Sequence, residues 1–237
     1  MSVTVGSLFS GIGGLDLGLE RAGMNVIWQS EIDPYACRVL AKHWPTIPNH
    51  GDIKTIDWAQ IERPNIICGG YPCQPFSVAG KRAGTEDPRH LWPWVREAIS
   101  HLRPDFAILE NVRGHLSMGL ATVLGEMSEI GYDAEWEIIS ASSLGASHRR
   151  ERLFILAYPS LPDMEKSKVV ASEKRLPKQS RRNAARSRMA EWPADEPDLV
   201  GMAYGVSEWV DRSRSLGNAV VPQVAEFVGR RVMECYQ

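Results

Sequence analysis

The strongest constraint on the fold is a regular alternation of strand-length apolar runs with helix-like stretches. Six runs have the length and residue types of strands: Val3 to Phe9, Asn25 to Ser30, Asn65 to Gly69, Phe106 to Glu110, Ala134 to Ser140 and Arg152 to Tyr158. Helical periodicity fills the intervals, for example with Leu15, Leu19 and Ala22 on one face. This alternation predicts an α/β fold with a mostly parallel sheet and helices on both faces.

The alternation ends near Pro159. From there to about Asp211 the chain is charged, is interrupted by serine and proline, and has no periodicity that predicts an element. A terminal helix is predicted from an apolar stripe formed by Val221, Val224, Phe227, Val228 and Val232. We expect a principal domain at residues 1–158, a small or partly disordered region at 159–213, and a segment at 214–237 that returns to the principal domain.

Composition narrows the class of protein. The chain has 237 residues, of which 43% are hydrophobic and 24% charged, as is typical of soluble globular proteins. No apolar run approaches the roughly 18 residues of a membrane span, and the first residues lack the order of a signal peptide. The sequence therefore predicts a cytoplasmic protein without a membrane partner.

Charge and cysteine usage add two expectations. The net charge of −2 conceals a basic segment from Glu165 to Ala190, with nine Lys or Arg against two Glu, which indicates a polyanionic partner. Its stretch Lys166 to Arg188 is a candidate for phosphate contact, or simply a solvated tail. Four cysteines without paired spacing predict free thiols rather than a disulfide framework or a metal site.

A glycine loop lies between the first predicted strand and the first predicted helix, in "LFSGIGGLDLGLERAG". Such a loop lets a ligand approach the backbone and the free amides of the helix, and its spacing fits neither a dinucleotide nor a triphosphate. Glu31 ends the second strand, and Asp52 lies where a further strand would reach the same crevice. Each could be a turn or a helix-capping charge alone, but together they favour an adenosine-like ligand.

Cys73 lies in "GGYPCQPFS", between two prolines that stiffen the loop after a buried strand. Cationic residues follow at Lys81, Arg82 and Arg89, and nearby cations lower the pKa of a thiol. These features favour a nucleophilic cysteine. A redox cysteine or a disulfide with Cys68 is the alternative.

Charged residues at two further strand ends complete the predicted site. Glu110 ends the predicted strand Phe106 to Glu110, where desolvation would raise its pKa toward use as a general acid. Arg150 and Arg152 lie two apart in "SHRRERLFILA", so their side chains should share the face that points into the crevice. Alternatively, Glu110 is an ordinary exposed residue at a strand end, and the two arginines lie on a solvated edge of the sheet.

The ordered set "FSGIGG", Glu31, "GDI", "GGYPCQPFS", "ENV", "HRRERLF" and "LGNAVVPQVAEFVG" resembles the DNA cytosine-5 methyltransferase family. The resemblance covers Val3 to Tyr158 and Ser215 to about Val232. It implies a class I S-adenosylmethionine-dependent methyltransferase fold, with a small C-terminal target-recognition lobe. S-adenosylmethionine is then the methyl donor, S-adenosylhomocysteine the product, and cytosine in double-stranded DNA the acceptor, with no metal.

The resemblance also implies a role for each site residue. Cys73 attacks C6 of a flipped-out cytosine, Glu110 binds and protonates its N3/N4 edge, and Arg152, helped by Arg150, holds its O2 side. The implied cofactor residues are Phe9, Gly11, Ile12, Gly13, Gly14, Glu31, Ile32, Asp52, Ile53, Pro72, Asn218 and Val220. The implied DNA contacts are Ser77, Lys81, Arg82 and Arg89.

The interval between the "RxR" and "GN" motifs is short for this family. It resembles the abbreviated recognition region of phage-type members, with at most a remnant of the family pattern in "EWVDRSRSLGN". The expected protein is a monomer, bacterial or phage-encoded, with a cognate restriction endonuclease as one potential partner. The alternatives are a tRNA cytosine-5 methyltransferase, a DNA-binding module on an inactive scaffold, and a nicotinamide oxidoreductase.

Overall fold

The computed structural model describes residues 2–72, 91–160, 211 and 215–236, and six strands in these residues form one sheet. The strands are β1 (Thr4–Leu8), β2 (Asn25–Ser30), β3 (Ile66–Gly69), β4 (Phe106–Val112), β5 (Tyr132–Ser140) and β6 (Glu151–Pro159). Their order is β2-β1-β3-β4-β6-β5. Strands β1 to β4 pair in parallel, whereas β6 runs antiparallel to both of its neighbours, β4 and β5. The predicted mostly parallel sheet is confirmed.

Helices connect the strands as the periodicity predicts. They are α1 (Gly14–Arg21), α2 (Pro34–His43), α3 (Trp92–Leu102), α4 (His115–Met118), α5 (Leu120–Glu129) and α6 (Pro222–Met233). Short 3-10 helices lie at Ile53–Thr55, Trp58–Gln60, Ala141–Leu144 and Glu234–Tyr236. Within the described ranges, none of the helices is long and apolar enough to cross a membrane.

The sheet separates two apolar layers. In β3, Ile67 belongs to the layer that contains Ile99 of α3 and Met127 of α5. Ile66 and Cys68, its neighbours in sequence, belong to the opposite layer with side chains of α1 and α6. Because successive side chains of a strand alternate between faces, a strand buried on both sides must be apolar throughout. This explains the uninterrupted apolar runs in the sequence.

The further strand expected at Asp52 is absent from the described residues. This stretch contributes only an isolated bridge between Gln29 and Asn49. Asp52 then caps the 3-10 helix Ile53–Thr55, because its side chain accepts a hydrogen bond from Lys54 N at 3.0 Å. Asp52 is itself extended, but the 3-10 helix that its side chain caps begins at Ile53, so a strand cannot continue there.

Helix α6 packs directly against α1 through glycine. A Cβ atom on Gly18 would overlap Ala225 and the carbonyl oxygen of Pro222, and one on Gly229 would lie 2.8 Å from the Cβ atom of Ala22. Each glycine therefore lets the backbone of one helix approach the other. This contact brings α6 back to the helix that follows the glycine loop.

We expect Gly18→Ala to lower the free energy of unfolding by about 1–3 kcal/mol, because the added methyl group overpacks the contact between α1 and α6. Gly125→Ala is the matched control, since Gly125 lies in α5 with open space around its Cβ position. Alanine there should be neutral or stabilising, because alanine favours helix more than glycine does. Urea denaturation of both variants measures the difference, and equal effects would contradict the proposed packing.

Candidate active site

The segments that carry the described part of the predicted site lie at the carboxyl edge of the parallel strands. The segments after β1, β2 and β3 and the last residues of β4 all leave the sheet at this edge, because the four strands are parallel. Strand β6 starts there because it is antiparallel, with Arg152 paired to Val112. Side chains from distant parts of the sequence therefore share one crevice.

The loop after β1 uses backbone conformations that glycine adopts readily. Gly11 and Gly13 have φ of 56° and 82°, and Phe9 between β1 and these glycines also has a positive φ, of 52°. Gly13 is the N-cap of α1, and its amide donates to Ser10 O at 2.9 Å. Ile12 is half-buried at the turn.

The C-terminal segment closes this loop from one side. A Cβ atom on Gly14 would overlap the backbone of Val220, so only glycine allows this approach. Val220 is buried, whereas Asn218 is exposed. The structure thus brings Val220 beside the glycine loop, with Asn218 two residues earlier in the chain.

Glu31 lies across the crevice and contacts the glycine loop. Its Oε2 accepts a hydrogen bond from Gly11 N at 2.8 Å, and its Oε1 accepts from Ile32 N at 2.8 Å and Asp33 N at 2.7 Å. These bonds hold the carboxylate in a defined orientation. Asn49, which the sequence reasoning missed, accepts from Glu31 N at 2.9 Å and donates to Glu31 O at 3.1 Å.

The two isoleucines predicted to frame an adenine have different environments. Ile32 is 65% exposed beside Glu31, which leaves an apolar surface open to a flat ring. Ile53 is 3% exposed, and its side chain packs in the core layer that contains α3 and α5. Asp52, which precedes Ile53 in the chain, is half-buried.

Glu110 is a buried carboxyl group at the end of β4. It is 7% exposed, and its Oε1 lies 2.9 Å from Arg152 Nε. This contact is an ion pair without the direction of a hydrogen bond, and no donor among the described residues hydrogen-bonds to Oε1. Burial raises the pKa of Glu110 to about 7, although Arg152 and Arg150 act to lower it. Glu110 can therefore hold a proton near neutral pH.

Arg150 does not contact Glu110 as Arg152 does. Its Nη2 donates hydrogen bonds to Gly217 O, at 2.8 Å, and to Ala219 O. The start of β6 therefore places one arginine beside the acid and the other beside the C-terminal segment.

Buried Tyr71 fixes the position of the chain after β3, directly before exposed Pro72. Its carbonyl oxygen accepts a hydrogen bond from Asn111 Nδ2 at 3.1 Å, and its hydroxyl lies 2.8 Å from Nε2 of buried His115. Burial lowers the pKa of His115 to about 4, so the imidazole is neutral at neutral pH. The sequence analysis did not identify this anchor, because no local pattern connects the three residues.

Other predicted residues lie outside the described residues: Cys73, Ser77, Lys81, Arg82, Arg89 and the basic stretch Lys166 to Arg188. The neighbouring thiol of Cys68 is described and is fully buried in β3. In the ranges that the structure describes, no group of three His, Cys, Asp or Glu residues could hold a metal ion.

Comparison with known protein families identifies the family of this chain. A family model for C-5 cytosine-specific DNA methylases matches residues 3–201. The chain belongs to this family. The resemblance inferred from the motifs is confirmed.

Curated relatives are longer than this chain. The type II methyltransferase M.HgiCII of Herpetosiphon aurantiacus is 34% identical over 180 residues, which are 71% of this chain and 41% of the relative. M.Eco47II of Escherichia coli is 36% identical over 164 residues, which are 65% of this chain and 39% of the relative. The chain thus spans about two fifths of the length of these two relatives.

Solved structures confirm the class I methyltransferase fold. The S. pombe Dnmt2 methyltransferase is 22% identical with a TM-score of 0.58, over 68% of this chain and 51% of that chain. A candidate DNA modification methyltransferase encoded within an E. coli prophage is 28% identical with a TM-score of 0.57, over 69% of this chain and 50% of that chain.

A buried acid below the glycine loop was also missed by the sequence analysis. Asp16 of α1 is fully buried, and its carboxylate accepts hydrogen bonds from Ser7 Oγ at 3.0 Å and Gln29 Nε2 at 2.8 Å. Burial raises the pKa of Asp16 to about 6. In the sequence it looks like an ordinary acidic residue of a first helical turn. The three side chains join β1, β2 and α1 beneath the predicted cofactor loop.

We expect Asp16 to make stability depend on pH. Because its pKa is raised, the folded protein binds more protons than the unfolded chain between about pH 4 and pH 6, so its contribution to stability falls as pH rises through that window. Relative to Asp16→Asn, the free energy of unfolding of the wild type should fall by about 2 kcal/mol from pH 4 to pH 7. Urea denaturation across this range measures it. Asp57→Asn, at an exposed cap of a 3-10 helix, is the control, and parallel curves for the wild type and Asp16→Asn would contradict the expectation.

Proposed function

We propose that this protein transfers a methyl group from S-adenosylmethionine to C5 of a flipped-out cytosine in double-stranded DNA, through a covalent adduct with Cys73. The observation that carries the proposal is Glu110, a buried carboxyl group with a pKa of about 7 that lies beside Arg152 at the carboxyl edge of the sheet. A proton donor of this kind suits the polar edge of a base held out of the duplex. Family membership supports the same reaction.

The chemistry requires an acid and a nucleophile together. Carbon 5 of cytosine is a poor nucleophile until the Cys73 thiolate adds to C6 and the ring accepts a proton from Glu110 at N3. Bound S-adenosylmethionine supplies the methyl group that C5 then takes. Loss of the C5 proton to water, expulsion of the thiolate from C6 and return of the N3 proton to Glu110 restore the enzyme. Arg152 holds Glu110 and the O2 side of the base during these steps.

The crevice between the glycine loop and Glu31 fits the cofactor. Glu31 presents an oriented carboxylate that can also accept ribose hydroxyls, and Ile32 offers an exposed apolar surface to the adenine. The backbone of Phe9, Gly11, Ile12, Gly13 and Gly14, together with Asp52, Ile53, Pro72, Asn218 and Val220, would form the rest of the pocket. S-adenosylhomocysteine is then the product, and the reaction uses no metal.

The remaining parts of the chain receive roles that follow from this reaction. Residues 1–158 form the catalytic domain, 159–213 contact DNA, and 214–237 return to complete the cofactor pocket. Ser77, Lys81, Arg82 and Arg89 contact DNA around the base. The protein acts as a monomer in the cytoplasm of a bacterium, where a cognate restriction endonuclease is its potential partner, as the type II relatives suggest.

Labelled S-adenosylmethionine should transfer its methyl group to cytosine C5 in mixed-sequence duplex DNA, and the Cys73→Ser variant should transfer none. The modified positions, read by sequencing, also give the recognition sequence. Transfer to tRNA but not to DNA would change the substrate class. Transfer to neither, by folded protein that binds S-adenosylhomocysteine, would contradict the proposal.

Duplex DNA with 5-fluorocytosine at a methylated site tests the covalent step separately. Fluorine at C5 cannot leave as a proton does, so the bond between Cys73 and C6 should persist. A denaturing gel should show one protein–DNA adduct with the wild type and none with Cys73→Ser. Methylation without any adduct would contradict the covalent mechanism.

We expect the methylation rate to fall as pH rises above about 7, because the protonated fraction of Glu110 falls as pH rises through its pKa. Glu110→Gln should lower the rate by roughly 10²-fold or more and should remove this alkaline limb. Single-turnover rates from pH 6 to pH 9 measure both effects. If the rate of Glu110→Gln still fell above pH 7 as the wild-type rate does, the fall would belong to the titration of another group.

A further inference from the structure

Arg150 and Arg152 are separated by one residue but contact different parts of the site. Arg152 Nε lies 2.9 Å from Glu110 Oε1, on the side where the base would bind. Arg150 Nη2 instead donates to the carbonyl oxygens of Gly217 and Ala219. The two side chains therefore have different tasks, although sequence spacing assigns them the same one.

The acceptors of Arg150 belong to the segment that closes the cofactor loop. They flank Asn218 in the chain, and Ala219 N donates to Ser215 O at 2.9 Å, so the segment forms a helical turn. The next residue, Val220, has its backbone against Gly14. Arg150 thus connects the start of β6 to the glycine loop through four consecutive residues, 217–220.

A guanidinium group suits this connection. Carbonyl oxygens at the end of a helical turn have no backbone donors of their own and carry partial negative charge. The planar guanidinium presents several N–H groups in fixed directions, so one side chain can serve two neighbouring carbonyls. Arg150 also has φ of 29°, in the left-handed region that non-glycine residues rarely adopt, as expected of a residue held by its side-chain contacts.

We propose, on the basis of the proposed function, that Arg150 is a positioning residue for the cofactor rather than a contact of the base. It holds residues 217–220 against Gly14, and so completes the cofactor pocket from the start of β6. Arg152, two residues later, acts on Glu110 and the base. The same short segment of chain thereby places the cofactor pocket and the acid side by side.

The test compares Arg150→Met, Arg152→Met and Arg149→Met, which remove one charge each at neighbouring positions. Arg149 is exposed and serves as the matched control. Two measurements use neither DNA nor turnover: amide hydrogen exchange of residues 215–221 without ligand, and the dissociation constant for S-adenosylhomocysteine by calorimetry. Arg150→Lys is the second variant, because an ammonium group can bond to one carbonyl at a time.

We expect Arg150→Met to speed exchange in residues 215–221 and to raise the dissociation constant about tenfold or more, since it removes two charge-assisted hydrogen bonds. Arg150→Lys should show intermediate values of both the exchange rate and the dissociation constant. Arg152→Met should leave both within twofold of the wild type while abolishing methyl transfer, and Arg149→Met should match the wild type throughout.

Unchanged exchange in Arg150→Met and Arg150→Lys overturns the inference, whatever happens to turnover. Faster exchange with an unchanged dissociation constant overturns the role toward the cofactor. If the wild type itself binds no S-adenosylhomocysteine, the proposed function fails, whereas the exchange measurement still decides whether Arg150 holds the segment.

Discussion

The close packing of α6 against α1 is the contact on which the site depends. Gly18 and Gly229 let the two helices approach, and Gly14 lets the backbone of Val220 lie against the first turn of α1. If the two helices were further apart, the C-terminal segment could not lie beside the glycine loop. Residues separated by about 200 positions in sequence therefore form one wall of the crevice because three positions lack a side chain.

The direction of β6 is the second requirement. A parallel strand in its place would begin at the opposite edge of the sheet, far from Glu110. Because β6 is antiparallel to β4, its first residues lie at the edge where the parallel strands end. Arg152 then pairs with Glu110, and Arg150 reaches the C-terminal segment. The direction of β6 thus brings both arginines to the edge at which the two parts of the site lie.

Local patterns were sufficient to predict the elements and the family. The six strands, the helices between them and the family follow from periodicity and short motifs, because these depend on neighbouring residues. The expectation of a further strand at Asp52 was wrong, since capping of a 3-10 helix prevails there. Asp16, Asn49 and the contact between Tyr71 and His115 were missed because their partners lie in other elements.

The sequence by itself determined which chemical groups the protein carries and the order in which strands and helices present them. The periodicity of apolar residues, the positions of glycines and the short motifs each involve only a few neighbouring residues, so they can be recognised in the sequence. Only the tertiary structure decided which groups share an environment: the burial that raises the pKa of Glu110, the separate partners of Arg150 and Arg152, and the approach of Val220 to Gly14. Burial and pairing depend on what the rest of the chain places around a residue, and no local pattern contains that information.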